Sequence, residues 1–205
     1  MRPPPDDRTV EELLEFGVIN LDKPPGPSSH QVSAWIRDLA DRDSAAHAGT
    51  LDPKVTGCLP TLLDKATRCA PALQGADKTY TAVLELHSEP SDDVTPTLEE
   101  FEGAIYQRPP RKSAVRRRLR TRKIHELKML ERDQRRALLK IRCEAGTYIR
   151  KLCHDLGLVL GTGANMGDLR RVQTGPFDDA NLVTLHDLVD ALVEWREGDD
   201  ERFIR

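Results

Sequence analysis

The stretch AHAGTLDPKVTG, Ala46 to Gly57, constrains this chain more than any other. Gly49 and Gly57 permit backbone angles that other residues resist. Pro53 fixes its own φ and pushes Asp52 out of the helical region. Asp52 is therefore the one carboxylate on a stiff, exposed turn. A carboxylate held in that way can cap a helix, bind a metal or act as a nucleophile, and an Asp-Pro in a glycine-containing loop can equally be a plain turn.

The flanking sequence supplies elements for that turn to join. Residues 1 to 8 are proline-rich and charged and read as an arm. Thr9 with Glu12 forms the pattern of a capping box and predicts a short helix. GVINLDK reads as a strand and PPGPSS as a turn ending in good N-cap residues. Val32, Trp35, Ile36 and Leu39 then recur at helical spacing as one buried stripe. CLPTLL is a short apolar run in which Pro60 argues for an edge position or a bulge. Asp64 to Leu73 reads as helical up to Pro71. TYTAVLEL alternates as a strand, with Tyr80, Ala82, Leu84 and Leu86 on one face. A helix is expected over Leu98 to Tyr106, and a hairpin from KIHELKMLE and ALLKIRCEA joined at Arg132 to Arg136. Thr147 opens a helix with Ile149, Leu152, Cys153 and Leu156 as its apolar stripe. GTGANMGDLRRVQTG is loop and then strand, and Thr184 with Asp187 opens the last helix. Strands and helices are intermixed without strict βαβ alternation, which points to an α+β fold with a mixed sheet.

With 205 residues the chain can bury a sizeable core as one domain, or one and a small appendage. The net charge of −3 argues against a general nucleic-acid binder. That average hides an asymmetry. HSEPSDDVTPTLEEFE is acidic, and RPPRKSAVRRRLRTRK follows at once with Arg108, Arg111, Lys112, Arg116, Arg117, Arg118, Arg120, Arg122 and Lys123 and no acid between them. Such clustering is costly by Coulomb's law unless a polyanion meets it, so this run is the candidate RNA contact. Cys58, Cys69, Cys143 and Cys153 show no CxxC spacing, so neither a zinc site nor a disulfide framework is expected. No apolar run reaches membrane-spanning length and the amino terminus lacks a signal-peptide core. A soluble, cytoplasmic protein is expected.

Four stretches together resemble one family. AGTLDPKVTGCLP resembles the catalytic-aspartate motif of the TruB/dyskerin pseudouridine synthases, and most of all their archaeal, dyskerin-type branch. INLDKPPGPSSHQV (Ile19 to Val32) resembles the amino-terminal motif and DKTYTAVLELH (Asp77 to His87) the tyrosine motif. CEAGTYIRKLCHDLG (Cys143 to Gly157) and MGDLRRVQTG (Met166 to Gly175) resemble the arginine and leucine motifs. The matches keep the family's order over about Phe16 to Asp190.

The resemblance implies a mixed, largely antiparallel bent sheet flanked by helices, and isomerisation of uridine to pseudouridine in rRNA or tRNA with no cofactor and no metal. It implies Asp52 as the catalytic carboxylate and Arg150 as the cation that keeps it charged. Tyr80 would stack on the base, Leu169 would pack beneath it, and His47 would fill the stack when the base flips out. Lys23 would be structural support. Arg111, Lys112, Arg116, Arg117 and Arg118 would contact RNA. Implied partners are the substrate RNA, a box H/ACA guide RNA and small ribonucleoprotein proteins. The organisation expected is an arm over 1–15, a catalytic domain over 16–195 and a polar tail over 196–205, without the PUA domain that usually follows in the archaeal branch. A stand-alone tRNA pseudouridine synthase and a non-catalytic RNA-binding scaffold are the alternatives.

Overall fold

The computed structural model describes residues 8–109, 116 and 118–198. Its elements run α1 (Val10–Glu15), β1 (Val18–Lys23), α2 (Ser29–Leu39), β2 (Ala45–His47), β3 (Thr56–Leu63), α3 (Ala70–Gly75) and β4 (Lys78–Leu86). They continue through α4 (Thr95–Glu100), β5 (Gly103–Gln107), β6 (Arg120–Asp133), β7 (Arg136–Cys143), α5 (Ile149–Val159), β8 (Ala164–Thr174), β9 (Phe177–Asp178) and α6 (Leu185–Gly198). Strands flanked by helices, mostly antiparallel, make the α+β class expected from the pattern. The chain divides into two compact units, Met1–Gln74 with Gln173–Arg205, and Gly75–Val172.

In the first unit β3 is the central strand, pairing antiparallel with β1 (Val18↔Leu62 to Lys23↔Gly57) and with β2 (Ala45↔Leu63 to His47↔Thr61). The edge position expected for Pro60 is therefore wrong. Proline lacks only the donor, and the Pro60 carbonyl still accepts the Ala48 N–H at 2.9 Å. The capping box forms as read: the Glu12 N–H reaches the Thr9 hydroxyl at 3.3 Å, and the Thr9 N–H reaches the Glu12 carboxylate at 3.0 Å. On α2 the apolar stripe is rotated from expectation. Val32 and Ile36 are fully buried together with Ser29 and Ser33, whereas Trp35 is 41% exposed. The 3-10 turn Asp64–Cys69 gives way to α3, so Pro71 stands in the first turn of a helix rather than at its end. Thr184 and Asp187 cap α6 reciprocally, with Thr184 N–H to the Asp187 carboxylate at 2.9 Å and Asp187 N–H to the Thr184 hydroxyl at 3.1 Å.

In the second unit β4, β7, β6 and β5 lie side by side, all antiparallel, with β8 on the other side of β4. The β6–β7 hairpin turns at Gln134, whose φ is 49°. The expected helix through Tyr106 stops at Glu100 instead. Gly103, at φ 96°, breaks the direction, and Gly103 to Gln107 pair with Ile124 to Arg120 as β5. Ala82, Leu84, Ile124, Leu127, Leu139 and Ile141 make the buried face of these strands, and Leu98, Leu152, Cys153 and Leu156 come from the helices. Gly157 allows the close approach of α5 to the start of β8: a Cβ there would stand 2.1 Å from the Ala164 backbone nitrogen. Burial pushes the thiols of Cys143 and Cys153 up to about 12. No described helix is long and apolar enough to cross a membrane.

Candidate active site

Asp52 sits in a turn whose two shoulders are buried while its own side chain is exposed. Leu51 and Val55, on either side, are each 4% exposed. The turn closes on itself, with the Val55 N–H donating to the Asp52 carbonyl at 2.9 Å. Before Asp52, the fully buried Ser29 hydroxyl accepts the Leu51 N–H at 2.8 Å and donates to the Leu51 carbonyl at 3.1 Å. After it, the Gly26 N–H holds the Pro53 carbonyl at 2.8 Å. Gly49 and Gly57 take φ of 123° and 99°, the left-handed region that their lack of a Cβ allows.

Lys23 completes the clamp. Its side chain is fully buried, and Nζ donates to the carbonyls of Pro24, Pro53 and Val55 at 2.9, 3.1 and 3.0 Å. Burial pushes the Lys23 ammonium below the usual lysine range, and the charge of Asp52 pulls it back up. The support role read for Lys23 has this physical basis: one cation holds the carbonyls of Pro53 and Val55, after Asp52, and interacts with the Asp52 charge.

His47 ends β2, half-buried, five residues before Asp52. Its Nδ1 accepts the Gly49 N–H at 3.3 Å, its carbonyl accepts from the Gln74 amide at 3.1 Å, and its ring meets that of His30 edge-on at 5.8 Å.

Tyr80, Arg150 and Leu169 belong to the second unit. Tyr80 is half-buried on β4, opposite Ile141. Arg150 is exposed in the first turn of α5, off the buried Ile149–Leu152–Cys153–Leu156 stripe, as its helical phase requires. The start of that helix has no side-chain cap of its own. Gln107, 2% exposed on β5, supplies the bonds: its amide accepts the Tyr148 N–H at 2.9 Å and donates to the Tyr148 carbonyl at 3.1 Å. Leu169 is 9% exposed, and its N–H goes to the Asp168 carboxylate at 2.8 Å. Burial along β8 changes parity there, from Ala164 to Leu169 and Arg171.

Of the basic run, Arg116 and Arg118 are exposed. The Arg118 N–H donates to the Arg116 carbonyl at 3.0 Å, as does the Arg120 guanidinium at 3.4 Å. Arg122 is an exception to the unopposed charge, lying 3.4 Å from Glu144. Arg111, Lys112 and Arg117 lie outside the described residues. Among the described residues no group of histidine, cysteine and carboxylate side chains could hold a metal ion.

Sequence reasoning missed Ser29, Gln107 and the buried cations Lys78 and Arg171. Ser29 and Gln107 carry no pattern, because each acts on the backbone of a remote segment. Lys78 was findable, since it shares the buried parity of β4 with Tyr80.

Three family models match the chain. That described as "TruB family pseudouridylate synthase (N terminal domain)" matches residues 37–95 and 90–149, "tRNA pseudouridylate synthase B C-terminal domain" matches 150–205, and "DKCLD (NUC011) domain" matches 3–33. The "Probable tRNA pseudouridine synthase B" of Halobacterium salinarum is 63% identical over 200 residues, covering 98% of this chain and 66% of the relative. Among solved structures, that of a "Cbf5-Nop10-Gar1 Complex" superposes with a TM-score of 0.94 at 52% identity, covering 98% of this chain and 62% of that one. A second, an "H/ACA RNP bound to a substrate RNA containing 2'-deoxyuridine", gives 0.90 at 48% identity, covering all of this chain and 63% of that one. The chain therefore spans less than two thirds of the length of these relatives.

Proposed function

The chain belongs to the TruB family of pseudouridylate synthases, and on that premise we propose that it isomerises specific uridines to pseudouridine in rRNA or tRNA, in the cytoplasm, directed by a box H/ACA guide RNA and assisted by small protein partners. The observation that carries the reading is the Asp52 turn. An exposed carboxylate is held by bonds to both neighbouring residues through Ser29, Gly26 and Lys23, a degree of fixation that a surface turn does not need.

Substrate and product of this reaction have the same atoms. The N1–C1′ bond breaks with its electron pair on the base, the base turns, C5 bonds to C1′, the C5 proton leaves and N1 regains one. No donor, acceptor or redox partner enters the balance. Asp52 serves at the sugar, where it acts as nucleophile or as base. Arg150 is a permanent cation suited to keeping such a carboxylate ionised once RNA displaces water. Tyr80 stacks on the uracil and takes part in removing the C5 proton, Leu169 packs beneath it, and His47 fills the gap left by the flipped base. Arg111, Lys112, Arg116, Arg117 and Arg118 bind phosphates. We assign the catalytic domain to residues 16–195.

The guided reading is supported by the complexes named for the similar structures. A stand-alone tRNA enzyme is favoured by the names of relatives such as that of H. salinarum. Release of tritium from RNA labelled at uridine C5 separates them, measured at enzyme excess with and without guide RNA and partner proteins. Release that requires the guide is expected. Release from bare tRNA would support the stand-alone enzyme, and no release with RNA still bound would leave a scaffold.

A further inference from the structure

Lys78 and Arg171 are buried cations for which the reaction as derived has no use. Lys78 is 5% exposed and Arg171 1%. They stand on neighbouring strands, β4 and β8, each two residues from a residue assigned to the base: Lys78 from Tyr80, and Arg171 from Leu169. Residues two apart on a strand share a face. On β4 the buried face carries Lys78, Ala82 and Leu84, and past Asp168 the buried face of β8 carries Leu169 and Arg171. On each strand the cation therefore shares its face with the residue assigned to the base, and Lys78 is close enough to Arg171 to feel its charge.

We propose that Lys78, set beside Arg171, is a positioning residue for the isomerisation: without touching the base, its ammonium stabilises the negative charge that the uracil carries while detached from the sugar. The proposal rests on the assignment of Tyr80 and Leu169 to the base. When N1–C1′ breaks, the electron pair stays on the base and spreads over its ring and carbonyl oxygens. A fixed cation in a medium that excludes water acts on such charge more strongly than it would in solvent.

The surroundings of Lys78 fit a charge held for use. Its Nζ donates to the Ala76 carbonyl at 2.6 Å. Burial and the Arg171 charge push the ammonium down to about 8, against smaller upward pulls from Cys143 on β7 and Asp77 beside it. The Asp77 carboxylate is shared, standing 3.2 Å from His125 on β6 and 3.5 Å from Arg142 on β7.

The test is the single-turnover rate of tritium release as a function of pH, in the chain assembled with guide RNA and partner proteins. The wild-type rate is expected to fall with the loss of one proton near pH 8. Lys78→Met should lose roughly tenfold to a hundredfold in rate while binding RNA as well as the wild type. Lys78→Arg, with a guanidinium that does not titrate in this range, should abolish the fall near pH 8. Arg171→Met removes a repulsion and should move the fall to higher pH. A wild-type rate that holds level through about pH 9, or a Lys78→Met enzyme with the wild-type rate, would overturn the inference while leaving the proposed function in place. A wild type that releases no tritium, with or without guide, would overturn both.

Discussion

At the scale of single residues, the chain uses buried polar groups to hold a few positions. Ser29 is the simplest case. Ser29→Ala strands the N–H and C=O of Leu51 in a buried site, and each buried unsatisfied group costs about 1–3 kcal/mol. A loss of roughly 2 kcal/mol in chemical denaturation is expected, with a larger proportional loss of turnover because the residue freed is the neighbour of Asp52. Lys78 shows a cost of another kind. Its folded-state pKa of about 8 lies below the ordinary lysine value of 10.5, so between these pH values the unfolded chain binds more protons and this group stabilises the fold as pH rises. Lys78→Met should therefore be more stable than the wild type at pH 7. That advantage should shrink by up to about 1.4 kcal/mol per pH unit as pH climbs from 8 towards 10.5, read from urea midpoints across the range. Cys143 and Cys153 act in the opposite sense above about pH 9, since their folded thiols hold protons until about 12; Cys153 cancels in the comparison, whereas Cys143, which interacts with Lys78, does not.

At the scale of elements, what was legible in the sequence was whatever local chemistry decides. Thr9–Glu12 and Thr184–Asp187 read as caps and are caps, and the alternation of β4 gave its buried face. The failures share a cause. Local preference misplaces Pro60, Trp35 and the segment ending at Tyr106, because strand pairing and helix seating decide them. Pro60 lies between two strands because its carbonyl suffices there, and Gly103 turns a would-be helix into β5. The seating of α5, which carries Arg150, was illegible because it depends on Gln107 and Gly157, each meeting a partner far away or across a loop. Gly157→Ala should lower stability by about 1–3 kcal/mol, since the added methyl meets backbone that cannot swing aside. Gln107→Leu removes both bonds to Tyr148. It should loosen the first turn of α5, seen as faster amide exchange there than in the rest of the helix.

At the scale of the whole molecule, the net charge of −3 and the basic run describe a chain that confines its attraction for polyanions to one place. Replacing Arg116, Arg117 and Arg118 together by Gln should weaken RNA binding. The slope of log K against log salt should fall by about 0.7–0.9 for each phosphate that is no longer neutralised, and an unchanged slope would return the run to a solvated surface. The motifs made the family legible from sequence because each concentrates residues with few substitutes, an Asp-Pro turn between glycines or an arginine in GTYIR. The clamps beneath them were not legible, because a backbone carbonyl or N–H can be held by many side chains from many places. The central proposal is that Ser29, Gly26 and Lys23 hold their turn for one carboxylate, Asp52. The measurement that tests it most directly compares wild type with Asp52→Asn, which keeps the shape of the turn and removes the charge, for tritium release and for RNA affinity in the same assembly. Release should vanish, whereas RNA affinity should be largely unchanged. An Asn variant that turned over like the wild type would contradict the role given to Asp52.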